Sequence, residues 1–283
     1  MGKVDLHIHS SASDGRFSPT EIVHKSAELG LTIIAISDHD TVTGVIPALE
    51  AAKAFPGLRL IPGVELSTDV SSGEVHILGY FIDPTNHELQ AALERFRKSR
   101  WERARKMVDK LGGLGICLDW QRVQEIAGGD SIGRPHIAQA MLEKGYISSL
   151  GEAFSEFIGH GKAAYVGREK LVPLEATRLI LQAGGLPALA HPLTVSDMET
   201  MVGELKAAGL VAIEAYYNGY TAEEIRGLTS LADRYNLIAI GGSDYHGLDD
   251  SKETMIGGVD VPLESAERLI ALAERSEEIE VKR

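Results

Sequence analysis

The 283-residue sequence predicts an α/β barrel with a helical insertion over its mouth, and three observations support that expectation. Short β-branched runs alternate with amphipathic ones, an order that calls for parallel strands joined by crossover helices. Candidate polar ligands recur with the stride of one βα unit: 30 residues from His9 to His39, 26 to Glu65, 23 from His191 to Glu214 and 30 to Asp244. That spacing sets them at the carboxyl ends of strands, where barrel active sites are built. The 115 residues from His76 to His191 are too many for one unit and carry long helical patterns.

The first run, KVDLHIHS, is followed by Ser18-Pro19-Thr20-Glu21, a capping box with Pro at the first helical position. Ile22, Val23, Ala27 and Leu29 continue that helix, and Gly30 stops it before a second strand at Leu31. An amphipathic stretch over 43–55 ends at Pro56-Gly57, ahead of a third strand over 58–64. EVHILGYF, LPALAHP and LIAIGGSDYHG supply further strands. Helical patterns over 86–111 and 134–160 make up the insertion. The expected division is a barrel from 1–84 and 168–283, with a substrate-binding cap over 85–167. No low-complexity linker separates the parts, so one compact molecule is expected.

A formal net charge of −13 repels polyanions as a whole and weighs against coating long DNA, though not against an anion held locally. The single cysteine, Cys117, has no internal disulfide partner. There is neither a signal-peptide pattern in MGKVDLHIHS nor a run of about 18 apolar residues, so a cytoplasmic protein without a membrane partner is the expectation. Oligomeric state is not legible.

Polar residues gather at the strand ends. His7 and His9 lie two apart, which on a strand puts both on one face. Asp14 follows in the next loop, His39 lies in Asp38-His39-Asp40, and Glu65 ends the third strand, where a carboxylate can bridge two ions. His76 alternates with apolar neighbours, His191 precedes a strand-stopping Pro192, and Asp244 and His246 repeat the two-apart spacing. One buried histidine is ordinary. Nine such residues at matching places would each carry a burial penalty unless paired or coordinated. Imidazole and carboxylate without thiolate suit Mn, Fe or Zn in a catalytic cluster. Asp38, Asp40 and Glu214 read either as groups orienting those ligands or as turn caps.

These motifs, His7-Ile8-His9, Asp14, Asp38-His39-Asp40, Gly63-Val64-Glu65, His76, Ala190-His191-Pro192 and Gly242-Ser243-Asp244-Tyr245-His246, resemble in order and spacing those of the polymerase and histidinol phosphatase (PHP) family of the amidohydrolase superfamily. The resemblance spans residues 4 to 247. It implies a distorted (β/α)₇ TIM-like barrel and a site for two or three divalent ions, most simply Mn²⁺, with Fe or Zn as alternatives. By that resemblance His7, His9, Glu65 and Asp244 hold one ion. Glu65, His76 and His191 hold a second, and Asp14, His39 and His246 a third. The implied chemistry is attack of a metal-bound hydroxide on phosphorus.

Arg134 and His136, in Ser131-Ile132-Gly133-Arg134-Pro135-His136, stand at a helix start where free amides favour an anion. Arg forks onto phosphate, and His136 or His191 could serve a leaving oxygen. The segment resembles one in the nucleotide-directed branch of the family, as does Gly159-His160-Gly161-Lys162, which suggests Lys162 as a second phosphate contact. His160 departs from the branch, where Arg is common. The expected activity is removal of the 3′-phosphate of nucleoside 3′,5′-bisphosphates, such as adenosine 3′,5′-bisphosphate, with 5′→3′ cleavage of short RNA alongside. Histidinol-phosphate phosphatase and a non-enzymatic regulatory protein are the alternatives. Finally, RFRKSRWERARK over 95–106 holds seven Arg or Lys against one Glu. It reads first as a solvated helix face, and second as a positive island drawing RNA toward the metals; Phe96 and Trp101 are expected to face the core.

Overall fold

The computed structural model describes residues 3–70, 73–128, 131–167, 171–247 and 253–281. Seven strands form one sheet in chain order: β1 (Val4–Ile8), β2 (Ile33–Ile36), β3 (Arg59–Val70), β4 (Gly73–Tyr80), β5 (Leu186–Leu189), β6 (Ala212–Tyr217) and β7 (Ile238–Gly242). The sheet curls until its edges meet. The amide of His9 donates to Tyr245 O (2.9 Å) and that of Asp244 to His7 O (2.8 Å), joining the end of β7 to β1. Gly242 permits this approach, because a Cβ there would fall on the His7 backbone nitrogen and Cβ. The result is a nearly closed, distorted seven-stranded barrel.

The distortion is β4. β1–β2–β3 and β5–β6–β7 pair in parallel, as the alternation predicts, but β4 runs antiparallel to both β3 and β5. The expectation that every ligand ends a strand is therefore corrected at three places. β3 runs on to Val70, leaving Glu65 within the strand, and Glu214 likewise sits inside β6. His76 lies inside β4, near the amino end, and a reversed strand must place its ligand there to reach the same rim.

Helices cover the outside. α1 (Pro19–Glu28) starts at the Ser18/Glu21 capping box, and Gly30 follows at φ +77°. α2 (Val45–Ala52) is shorter than the 43–55 stretch predicted. Between β4 and β5 come α3 (His87–Gly113), α4 (Trp120–Ala127), α5 (Arg134–Glu143), α6 (Leu150–Glu152), which continues as a π turn (Ala153–Ile158), and α7 (Pro173–Gln182). The pattern over 134–160 is thus two helical pieces, parted at Gly145 with φ +72°. α8 (Met198–Ala207), α9 (Ala222–Arg234) and α10 (Leu263–Val281) complete the wrap. Among the described residues, no helix is long and apolar enough to cross a membrane.

α3 joins two cores. Leu89, Leu93 and Phe96 pack into the cluster that includes Val64, Ile77 and Ile180 on the barrel. Met107 and Leu111 pack with Val123, Ile137, Met141 and Ile158 of α4 to α6. Between the two lie Arg100 and Arg103, 5% and 4% exposed. They correct the reading of 95–106 as a solvated face at those two positions, while Arg95, Lys98, Arg105 and Lys106 are exposed as expected. Phe96 is buried as expected, whereas Trp101 is 37% exposed and does not face the core.

Candidate metal centre

All nine predicted ligands come together at one rim of the barrel. Glu65, 1% exposed, is the hub. Its Oε2 lies 3.4 Å from His7 Nε2, 3.3 Å from His9 Nε2 and 3.0 Å from His39 Nδ1, and its Oε1 lies 2.8 Å from His76 Nδ1 and 3.2 Å from His191 Nε2. Asp244 Oδ1 approaches His7 Nε2 (3.3 Å) and His9 Nε2 (2.9 Å). Asp14 lies 3.4 Å from His246 Nε2, 3.8 Å from His9 Nδ1 and 3.9 Å from His39 Nε2.

Strand registry explains this convergence. The amides of Asp40 and Glu65 exchange hydrogen bonds with Glu65 O and Asp38 O, which sets His39 beside Glu65. His76 lies across from Ser67, one pleat from Glu65 on the neighbouring strand. His191 (φ +26°) and Asp244 (φ +52°) adopt left-handed backbone just past β5 and β7, as does Asp40 (φ +52°) near the end of β2. Non-glycine residues hold that conformation at a cost of about 1–3 kcal/mol, tolerated here where the backbone turns ligands inward.

Other carboxylates fix the frame. Glu214, fully buried, accepts from His7 Nδ1 (2.9 Å) and from the His191 amide (2.7 Å). Asp38 accepts from the Ser10 amide and from the hydroxyls of Ser10 and Ser13, each at 2.7 Å, and so pins the loop carrying Asp14. Asp40 accepts from the Ser67 amide (2.9 Å) and Arg100 Nε (2.7 Å). Asp5, unremarked in the sequence, accepts from the amides of Ser243 and Gly257 and from the Ser243 hydroxyl, tying β1 to the segment after β7. The Tyr217 hydroxyl donates to Asp244 Oδ2 at 2.7 Å.

The electrostatics favour a cation. Burial opposes charge on Asp14, Glu65 and Asp244, yet the surrounding imidazoles hold each well below the usual carboxylate range. Burial likewise opposes charge on His9, but Asp244 and Glu65 lift it to about 10, and they raise His7 as well. His39 goes the other way: burial outweighs Glu65 and Asp14 and pushes it down to about 4.

The donor set fits divalent ions. His7 Nε2, both ring nitrogens of His9, His39 Nδ1, Glu65 Oε2 and Asp14 Oδ1 are buried without a hydrogen bond to protein, an arrangement too costly to persist among uncompensated groups. Three overlapping groups have their donor atoms within 4.8 Å of one another: His7, His9 and Glu65; His39, Glu65 and His76; and His9, Asp14, His39 and His246. Because Glu65 joins two of these groups and His9 and His39 each join two, ions bound here would share ligands.

Above the cluster lies a cleft of about 160 Å³ whose walls include Asp14, His39, His76, Arg100, Arg103 and Arg134. Arg134 bonds Glu74 at 2.7 Å and lies against the rings of Phe154 and Tyr165. His136 is nearby and buried. Its Nδ1 accepts from the Gly133 amide (3.0 Å), and burial, aided by Arg100 and His246 against Asp14, lowers its pKa. It is a neutral imidazole with its proton on Nε2. Lys162 is exposed in the turn before Tyr165 and does not line this cleft. A second cleft, about 490 Å³, adjoins the first across Asp14 and Pro135 and is walled by Ile126, Leu150, His136 and Gln139.

Arg100 and Arg103 were missed from sequence, although a signal existed. Leu89, Leu93, Phe96, Arg100, Arg103, Met107 and Leu111 follow one another at steps of three or four, so the two arginines occupy places in a buried stripe. A charge at core periodicity calls for a partner: Arg100 pairs with Asp40 Oδ2 and Ser67 Oγ, and Arg103 lines the cleft above the cluster.

Known proteins share this architecture. The PHP domain profile matches residues 5–172. A 5′-3′ exoribonuclease of Haemophilus influenzae is 36% identical over 86% of the chain and 90% of its own length. A 3′,5′-nucleoside bisphosphate phosphatase of Chromobacterium violaceum is 32% identical over 87% and 88%. The crystal structure of a candidate metal-dependent phosphoesterase from Bifidobacterium adolescentis superposes with a TM-score of 0.87 and 28% identity, covering 95% of each chain.

Proposed function

Because this chain belongs to the PHP domain family, we propose that it is a metal-dependent phosphoesterase that removes the 3′-phosphate of nucleoside 3′,5′-bisphosphates and cleaves short 5′-phosphorylated RNA by the same chemistry. One observation carries the proposal: a His/carboxylate cluster with unsatisfied buried donors forms the floor of a cleft that has three arginines in its walls. Floor and walls together suit a phosphoryl group, gripped from both sides.

In this reading His7, His9, Glu65 and Asp244 hold one ion, Glu65 with His76 and His191 a second, and Asp14 with His39 and His246 a third; Mn²⁺ is the ion of choice. Divalent ions there supply an acidified water and neutralise charge on phosphoryl oxygens. The chain's own residues do the rest. Glu214 holds the His7 ring with Nδ1 protonated, turning the Nε2 lone pair toward Glu65 and Asp244. Arg100, Arg103 and Arg134 grip the non-reacting phosphate oxygens, with Lys162 as an outer contact at the rim. His136, held neutral, donates from Nε2 and orients a phosphate or the leaving oxygen; it does not deliver the proton. The adjoining cleft, walled by Ile126 and Leu150 with Gln139, takes the nucleoside. The helices over 85–167 act as the cap that brings these groups to the barrel rim, since Arg100, Arg103, Arg134 and His136 all belong to it.

The test is to incubate Mn²⁺-reconstituted protein with adenosine 3′,5′-bisphosphate and, separately, with a 5′-phosphorylated short RNA, resolving products by chromatography. AMP and phosphate from the first, and mononucleotides from the second, are expected. Phosphate release from histidinol phosphate alone, or from no ester, would overturn the proposal.

A further inference from the structure

Arg103 borders more than the metal cleft. The same side chain lines a second groove, about 520 Å³, that runs along α3 past Arg95, Lys98 and Lys106. Lys98 and Lys106 in turn border a third hollow of about 490 Å³, floored by Trp101 and Trp120. Trp101 meets Trp120 edge to face at 5.3 Å, and the Arg105 guanidinium lies 5.3 Å over the Trp120 ring. Arg95, Lys98, Trp101, Arg105 and Lys106 are all exposed. From Arg95 to Lys106 the helix advances about 16 Å at 1.5 Å per residue. Glu102 is the one acidic residue along it, in a chain whose overall charge is −13.

Three features meet here: a row of cations, the exposed Trp101 beside that row, and Arg103 as a wall shared with the metal cleft. Cations track a sugar–phosphate backbone and aromatic faces stack bases regardless of sequence. An acidic protein would use the cations but has no need of the exposed ring or of the adjoining metal cleft. We propose that α3 is the exit track for single-stranded RNA: the strand 3′ of the scissile linkage leaves the cleft past Arg103, lays its phosphates along Arg95, Lys98 and Lys106, and stacks a base on Trp101. This rests on the phosphoesterase reading above and adds to it the surface that holds the strand beyond the cleft. A mononucleotide bisphosphate ends within the cleft and does not reach the track, so the two substrates are separable.

The chain's only two tryptophans, Trp101 and Trp120, both lie in this hollow, which makes intrinsic fluorescence a direct reporter. The protein as isolated is titrated with a 5′-phosphorylated pentauridylate bearing phosphorothioate linkages, so that the strand is not consumed. Saturable quenching is expected, with none from adenosine 3′,5′-bisphosphate. Lys98→Ala/Lys106→Ala should weaken the pentamer tenfold or more and make the salt dependence shallower by roughly 1–1.5 in log–log slope. Trp101→Ala should weaken it roughly five- to hundredfold. Neither variant should alter bisphosphate hydrolysis. Pentamer binding seen by anisotropy without quenching, or equal loss of pentamer binding and bisphosphate turnover in the lysine variant, overturns the track. So does quenching by phosphatidylserine vesicles but not by RNA, which would mark a membrane-facing patch. If quenching occurs while no phosphate is released from the bisphosphate, the track stands and the phosphatase reading falls.

Discussion

Glu214→Gln is a one-atom change with a calculable consequence. Glu214 is fully buried and faces two donors, the His7 ring at Nδ1 (2.9 Å) and the His191 amide (2.7 Å). A carboxylate satisfies both. A glutamine offers one acceptor and one donor, so one partner must be refused. With its oxygen toward His7, its NH₂ abuts the His191 N–H, and a buried donor goes unpaired at a cost of about 1–3 kcal/mol. With its oxygen toward His191, its NH₂ drives the His7 proton from Nδ1 to Nε2, the atom that faces Glu65 and Asp244, and His7 can no longer ligate. Either way the variant should lose metal affinity by roughly 10–100-fold. It should melt some 2–12 °C lower, at roughly 2–4 °C per kcal/mol for a protein of this size. Competitive metal titration read by elemental analysis, with thermal melts at matched Mn²⁺, measures both. Affinity within twofold of the parent and an unchanged melt would refute Glu214 as the group that orients His7.

In chelator, stability should peak near pH 6.5. The raised His9 contributes fully below its ordinary value of 6.5 and loses that contribution as pH climbs through about 10. Depressed Asp14, Glu65 and Asp244 contribute above their ordinary range and lose it on acidification, while His39, pushed down to about 4, subtracts stability between pH 6.5 and 4. Mn²⁺ displaces imidazole protons and should move the peak upward; melts that rise steadily from pH 6.5 to 10 in chelator would contradict this. Arg103→Ala and Arg134→Ala should each raise KM for adenosine 3′,5′-bisphosphate by roughly 10–150-fold at unchanged metal content, the value of a lost charge-assisted phosphate contact. Lys162→Ala should change KM less than about fivefold, because an exposed cation is worth at most about 1 kcal/mol. Equal effects at Lys162 and Arg103 would put the phosphate grip elsewhere.

The clustering of the candidate ligands was legible because metal chemistry restricts them to a few residue types, and because one βα unit sets their spacing. His7 and His9 needed only the two-residue strand repeat. The capping box at Ser18 and Glu21 needed only local hydrogen bonding, and it appears as predicted. β4 was not legible. EVHILGYF has the same apolar texture in either direction, and its reversal follows from the short connection to β3 and from barrel closure. The helical pattern read over 134–160 breaks at Gly145, where left-handed backbone overrides the periodicity.

By itself, then, the sequence determined the candidate ligands that gather at one rim, the α/β alternation and the family, since residue type and local spacing suffice for these. Only the tertiary structure decided which donor atoms lie within 4.8 Å of one another, that Glu214 and Asp5 frame the rim, and that one helix turns two of its arginines into the cleft and others outward. Those outcomes depend on through-space distance between segments far apart in the chain. Glu65 and His191 meet at 3.2 Å across 126 residues, and no pattern within either segment encodes that distance.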